Sequence, residues 1–162
     1  MARIDEATAG GRNVLAFLDM LAASEGTIRY GNDDGYDVLF GGETFSNGYV
    51  DHPRIRVTRK VAGKPITSTA AGRYQFLERT WDAIVKQYGF RGRFIPEAQD
   101  LAAIKLIKER GALADVQAGR FEIAVTKCKN IWASLPGAGY GQPEHKLETL
   151  LAAYQKAGGA LA

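Results

Sequence analysis

NVLAFLDMLAASEGT (residues 13–27) is the stretch on which the reading of this chain turns. Val14, Leu15, Phe17, Leu18 and Leu21 recur at helical spacing and Gly26 supplies a stop, so the segment predicts a helix over residues 13–25. The 3.6-residue geometry that groups Val14, Leu18 and Leu21 leads on to Glu25, so a carboxyl group continues an apolar face. Burial disfavours its charged form and the negative end of the helix adds to that, and both push its pKa upward. The result is an acid that still holds its proton near neutral pH. A glutamate between Ser24 and Gly26 is also a common solvated helix end, and this feature by itself favours that plainer reading.

Working outward, residues 27–72 are rich in Gly, Asn and Asp and hold β-prone pieces at 36–40 and 54–58, which predicts a loop-rich β lobe. From Arg73 the helical period returns, with Phe76, Leu77, Trp81, Ile84, Val85 and Tyr88 on one face that Gly89 closes. Pro96 suits a first helical turn, and Leu101, Ile104 and Ile107 carry a stripe toward Gly111. Phe121, Ala124, Val125, Cys128, Trp132 and Leu135 predict a helix that runs until Pro136 and Gly137. A last helix begins near Pro143, groups Leu147, Leu150, Leu151 and Tyr154, and ends at Gly158 and Gly159. Cys128, Trp81 and Trp132 lie on apolar stripes and read as core. One helix, a small β segment and then several helices make an α+β layout, with a cleft where the lobe meets the helices. The 162 residues fit one domain, 1–162, with its β-rich lobe at about 27–72.

The bulk composition excludes more than it assigns. With 46% hydrophobic and 24% charged residues the chain is an ordinary globular protein. Its one cysteine, Cys128, rules out an internal disulfide framework. No apolar run nears the roughly 20 residues that span a bilayer, and the first eleven residues lack the hydrophobic stretch of a signal peptide. A net charge of +3 is too small to argue for nucleic acid. Arg54, Arg56, Arg59, Lys60, Lys64 and Arg73 cluster with no acid between Asp51 and Glu78, which would suit a polyanionic partner. The alternation Arg54-Ile55-Arg56-Val57 is equally that of an exposed strand needing no partner.

Several chemistries find no support. Gly137, Gly139 and Gly141 follow a helix instead of a strand and miss the last spacing of a dinucleotide loop, and Gly63-Lys64 lacks the upstream glycine of a phosphate loop. His52 and His145 stand far apart with no accompanying ligand pattern, so no metal is expected. His52 reads as a residue that structures the lobe. No nucleophile elbow is present, and Cys128 sits on a buried stripe. No cofactor is implied.

Three separated pieces, FLDMLAASEGT (17–27), STAAGRYQFL (68–77) and NIWASLPGAGYGQ (130–142), resemble the lambda-type phage endolysins, the lambda lysozyme family of lytic transglycosylases. The likeness extends through GYDVLFGGETF (35–45), DHPR (51–54) and IKERGAL (107–113), so it covers nearly the whole chain in order. It implies a lysozyme-like fold and cleavage of the MurNAc-GlcNAc β-1,4 bond of peptidoglycan glycan strands, leaving 1,6-anhydromuramic ends during host cell lysis. Glu25 matches the family's catalytic glutamate, and Gly72 with Gln75 resembles the A-x-G-x-x-Q element that accompanies that acid.

Other positions follow with less to carry them. Asp37 is the candidate supporting carboxylate, although a short Asp in such a loop is commonly a turn former. Tyr74 and Tyr140 could lay rings against sugars, or serve packing and a turn brace, while Gln75 and Gln142 could offer amide hydrogen bonds. Residues 27–34 depart from the family's usual run in length and composition. A water-using muramidase stays open, since Asp33, Asp34, Asp37, Glu43 and Asp51 could each furnish a second carboxylate, and so does a noncatalytic glycan-binding module. A monomer is the default. The resemblance further implies accumulation in the host cytoplasm, release by a separate holin-type pore protein, and action on the wall in the periplasm.

Overall fold

The computed structural model describes residues 1–90, 93–141 and 143–162. Its centre is the helix Arg12–Glu25 (α2), preceded by a single turn, Glu6–Ala9 (α1). Val14, Ala16, Phe17, Leu18, Met20, Leu21 and Ala22 of α2 have no exposed surface, because the helix is wrapped from several sides instead of along one stripe. Gly26 ends it in the left-handed conformation at φ 75°, where its N–H can reach the carbonyls of Ala22 and Ala23. The predicted helix over 13–25 is therefore found almost residue for residue.

The later helices are Glu78–Tyr88 (α3), Pro96–Glu109 (α4), Leu113–Gln117 (α5), Phe121–Cys128 (α6) and Leu147–Lys156 (α7). α2 packs on α7 and α5, and Phe17 meets Phe121 edge to face at 6.2 Å while Phe121 tilts against Tyr154 at 4.9 Å. Trp81, Phe76, Phe90 and Phe94 form a second aromatic cluster between α3 and the lobe. No helix among the described residues is long and apolar enough to cross a membrane.

The β lobe holds one antiparallel hairpin, Val57–Val61 (β1) with Lys64–Ser68 (β2), in register Val57 to Ser68 and Val61 to Lys64. Ala62 and Gly63 turn it with positive φ at both positions, the twist that a two-residue hairpin requires. The β-prone piece at 36–40 makes only isolated bridges, Val38 to Thr44 and Leu39 to Ala71. The other, 54–58, joins a strand only from Val57. Arg54 sits at φ 57° with its guanidinium on Asp51 and Asp82, so the alternation before Val57 is not a strand.

Three helix boundaries differ from the sequence reading. Residues 73–77 do not begin α3: they belong to a tight turn closed by paired hydrogen bonds between Ala71 and Phe76, with Gln75 left-handed at φ 52°. α6 stops at Cys128, and Trp132 and Leu135 reach the core from turns. α7 starts at Leu147, four residues past Pro143.

A polar cluster fixes the 71–76 turn. Asp100 of α4, fully buried, accepts from the phenols of Tyr36 at 2.7 Å and Tyr74 at 2.6 Å, and from the N–H groups of Arg3 and Ile4 at 2.6 and 3.1 Å. Arg73, 1% exposed, pairs with Asp19 of α2 at 2.7 Å and with Asp34, and stacks on the Tyr36 ring. Gly72 permits this closeness, since a Cβ there would collide with the Gln99 amide and the Phe94 ring. Lobe and helices are thereby locked around the edge of a cleft.

Candidate functional site

The cleft encloses about 480 Å³ and is walled by the end of α2 with the turn after it, by residues 38–42, by Gln75 and Leu77, and by residues 131–134 with His145. Glu25 opens onto it. Among the described lining residues Glu25 is the one carboxyl; the other ionisable side chains are Arg29, Tyr30 and His145. Burial raises the Glu25 pKa to about 7, against the opposing pull of a hydrogen bond from Ser134. A carboxyl with that affinity is protonated and ionised in comparable amounts at neutral pH, so it can give a proton and take one back.

The surroundings of Glu25 come from far along the chain. Ser134 Oγ donates to Glu25 Oε1 at 2.8 Å, and Ser24 Oγ lies 2.7 Å from Ser134 Oγ. A serine hydroxyl carries one hydrogen; Ser134 spends its own on Glu25, so Ser24 supplies the one between the two serines. His145 staples this arrangement: its Nε2–H donates to the Ser24 carbonyl at 2.9 Å and its backbone N–H to the Ser134 carbonyl at 2.9 Å. A carbonyl can only accept, which sets the tautomer of the ring. Trp132, as core, donates its indole N–H to the Tyr74 carbonyl at 3.0 Å and ties this wall to the 71–76 turn.

Gln75 also lines the cleft. Its amide nitrogen donates to the carbonyls of Gly72 at 3.0 Å and Val38 at 3.3 Å, so both its donors are engaged with backbone and its oxygen is left as an acceptor. The strained φ at Gln75 places that amide across the turn.

The other sequence candidates fall elsewhere. Tyr74 has no exposed surface and gives its hydroxyl to Asp100, so it is a packing and anchoring residue, not a sugar platform. Tyr140 is exposed but stands off the cleft wall and donates to the Asn130 carbonyl at 3.0 Å, bracing the Gly-rich turn that Glu144 also holds through the N–H groups of Gly137 and Gly139. Asp37, 8% exposed, is likewise off the wall and accepts from Asn32 N–H at 3.0 Å, a turn-forming role. Gln142 lies outside the described residues. The remaining lobe carboxylates are engaged away from the cleft: Asp33 with Arg3 and Tyr49, Asp34 with Arg73, Glu43 with Arg59, and Asp51 with Arg54.

His52 is buried, donates Nε2–H to the Phe76 carbonyl at 2.8 Å and accepts Arg54 N–H on Nδ1, and burial lowers its pKa. It structures the lobe, as its motif suggested. The basic run is no single patch, because Arg54 and Arg59 are paired with acids and Arg73 is interior. Cys128 is buried, and burial pushes its thiol up to about 12, far from a nucleophile.

Sequence reading missed Ser134, Ser24, His145 and Tyr30. Tyr30, 52% exposed, stands on the cleft wall with its ring over Gly42, where a Cβ would come within 3.1 Å of it. Its only signal was its place in the stretch 27–34, whose composition departs from the family pattern.

Comparison with known proteins agrees along the whole chain. A family model described as Endolysin matches residues 15–161. The chain is similar to the endolysin of Escherichia phage lambda, 52% identical over 149 residues that cover 90% of this chain and 91% of that one. It is also similar to the endolysin of Escherichia phage P2, 48% identical over 91% of this chain and 94% of that one. Among solved structures, bacteriophage lambda lysozyme complexed with a chitohexasaccharide superposes with a TM-score of 0.85 at 48% identity, covering 100% of both chains. A further structure of lysozyme from bacteriophage lambda gives 0.83 at 47% identity. The α+β, lysozyme-like architecture expected from the sequence is the one found.

Proposed function

The chain belongs to the endolysin family, and from that premise we propose that it cuts the glycan strands of peptidoglycan by lytic transglycosylation with Glu25 as sole acid/base. The neighbour's bound chitohexasaccharide, an oligomer of the same β-1,4-linked amino-sugar type, supports a glycan in the equivalent cleft. The observation that carries the reaction type is that Glu25 is the only carboxyl on the described cleft wall. Hydrolysis with retention or inversion uses a second carboxylate, as nucleophile or as base for water. Here Asp33, Asp34, Glu43 and Asp51 are paired with other groups, and Asp37, held through Oδ2 by Asn32, lies off the cleft wall.

One carboxyl suffices when the nucleophile is part of the substrate. Glu25, protonated, gives its hydrogen to the oxygen bridging MurNAc and GlcNAc; the C1–O bond breaks and its electron pair leaves with the GlcNAc 4-hydroxyl. Glu25, now a carboxylate, takes the proton of the muramic C6 hydroxyl as O6 closes on C1. The 1,6-anhydro ring forms, the acid is restored and no water is consumed. A pKa of about 7 serves both halves. The Gln75 amide oxygen, which takes no hydrogen bond among the described residues, would accept from a sugar hydroxyl or N-acetyl N–H.

Digestion of purified peptidoglycan followed by mass spectrometry tests this. Anhydro ends, lighter than reducing ends by one water, are expected; reducing ends throughout would make the protein a hydrolase, and no soluble fragment a binding module. In the cell the protein works as a monomer, reaching the wall from the host cytoplasm once a separate pore-forming protein opens the inner membrane.

A further inference from the structure

We propose that Ser134 is a positioning residue for Glu25, its hydroxyl tying down Oε1 so that Oε2 alone carries the proton in both half-reactions. This rests on the acid/base role of Glu25 given above. Among the described residues Oε1 takes the hydrogen bond from Ser134 at 2.8 Å, while Oε2 takes none from protein. The two carboxyl oxygens are therefore unequal before any sugar arrives. A proton placed on Oε1 would displace the Ser134 hydrogen; placed on Oε2 it faces the cleft.

The hydroxyl also works differently at the two stages of turnover. A hydrogen bond to a neutral carboxyl is weak, and the same bond strengthens about twofold once the acceptor is ionised. Ser134 thus helps most when the bridging oxygen has just taken the proton and Glu25 is left as an under-solvated anion. Ser24 adds to this, because a hydroxyl that is itself receiving a hydrogen bond, here at 2.7 Å, is a better donor. His145 keeps the pair in register by holding the carbonyls of both serines at 2.9 Å. Arg29, Tyr30 and His145, the other ionisable side chains on the described cleft wall, make no hydrogen bond to the carboxyl, and because His145 is itself held to both serines, the limb that reports Glu25 is the one abolished in Glu25→Gln.

The test is the pH profile of soluble-fragment release from purified peptidoglycan by Ser134→Ala, Ser134→Thr and Ser24→Ala. In Ser134→Ala kcat should fall about tenfold, the loss of one hydrogen bond to a charged group, with KM within about twofold of wild type. The limb above which activity falls should move up by about half a pH unit or more, because a bond favouring the anion has gone. Ser134→Thr, which keeps a hydroxyl, should recover both. A limb that stays at the wild-type pH in a folded Ser134→Ala, or a rise in KM alone, overturns the proposal and reduces Ser134 to a loop fastener. If Ser134→Ala does not fold, Ser24→Ala decides: its limb should move the same way by a smaller step, and an unmoved limb is equally fatal. Normal turnover by Glu25→Gln would instead sink the acid/base reading and leave the Ser134 result to be read separately.

Discussion

Asp100 on α4 and Glu25 at the end of α2 are both carboxyl groups drawn out of bulk water by the same core, and they are furnished in opposite ways. Asp100 accepts from two phenols and two backbone N–H groups. Glu25 accepts from Ser134 alone among the described residues. A carboxyl whose acceptor positions are filled is a fastener: moving it would strand four donors, each at a cost of about 1–3 kcal/mol. A carboxyl sheltered from water but given a single donor is poorly suited to holding charge, and it keeps an oxygen free for a substrate. The number of hydrogen bonds supplied, more than depth, separates the structural acid from the one proposed to react.

Changing each group in turn presses on that contrast. Glu25→Gln should lower fragment release by about 10²–10⁴-fold while glycan binding persists, measured by turnover and by co-sedimentation with peptidoglycan. Asp100→Ala should do the reverse, costing about 3–5 kcal/mol of stability in urea unfolding as its donors lose their partner. The folded fraction should keep its activity limb near pH 7, where Glu25 titrates.

Stability against pH sharpens the contrast further. Glu25 is raised from 4.5 to about 7, so below pH 4.5 it is protonated in both states and above 7 ionised in both. Between those values the unfolded chain binds fewer protons, and stability falls as pH rises, by about 3 kcal/mol at most. Buried His52, its pKa lowered, contributes an opposite rise toward pH 6.5, so the difference between proteins is the readout: urea midpoints should fall more with pH in wild type than in Glu25→Gln, and an identical slope in both would place the titration elsewhere. The smallest effect carries the comparison over to tyrosines. Tyr30→Ala, which removes an open ring from the cleft wall, should raise KM about three- to tenfold, whereas Tyr140→Ala should leave it unchanged.

The long-range order of the fold was readable where a local pattern and a stop signal coincide. Residues 14–21 with Gly26, and Leu101 to Ile107 after Pro96, are examples. Glu25 was readable for the same reason, as the last position of an apolar stripe. Misreadings arose where core residues keep helical spacing without a helix. Cys128, Trp132 and Leu135 fit one face on paper, yet the chain leaves the helix after Cys128 and returns the last two from turns. Phe76 and Leu77 share the phase of α3, but Gly72 and the left-handed Gln75 bend the chain before them. Tyr74 was drawn toward the substrate by its motif, when what decides its place is Asp100, 26 positions away. Ser134 and His145 were out of reach in principle, because their importance lies in meeting Glu25 and Ser24 across the fold, and no local spacing encodes that.

The staple between α2 and the segment before α7 also sets a schedule. Ser134 lies 109 positions beyond Glu25, and His145 lies 121 beyond Ser24. A chain growing from its amino end makes its acid more than a hundred residues before the serine that tempers it and the imidazole that holds both walls. The raised pKa of residue 25 is therefore a property of the assembled tertiary fold, not of the helix that carries it.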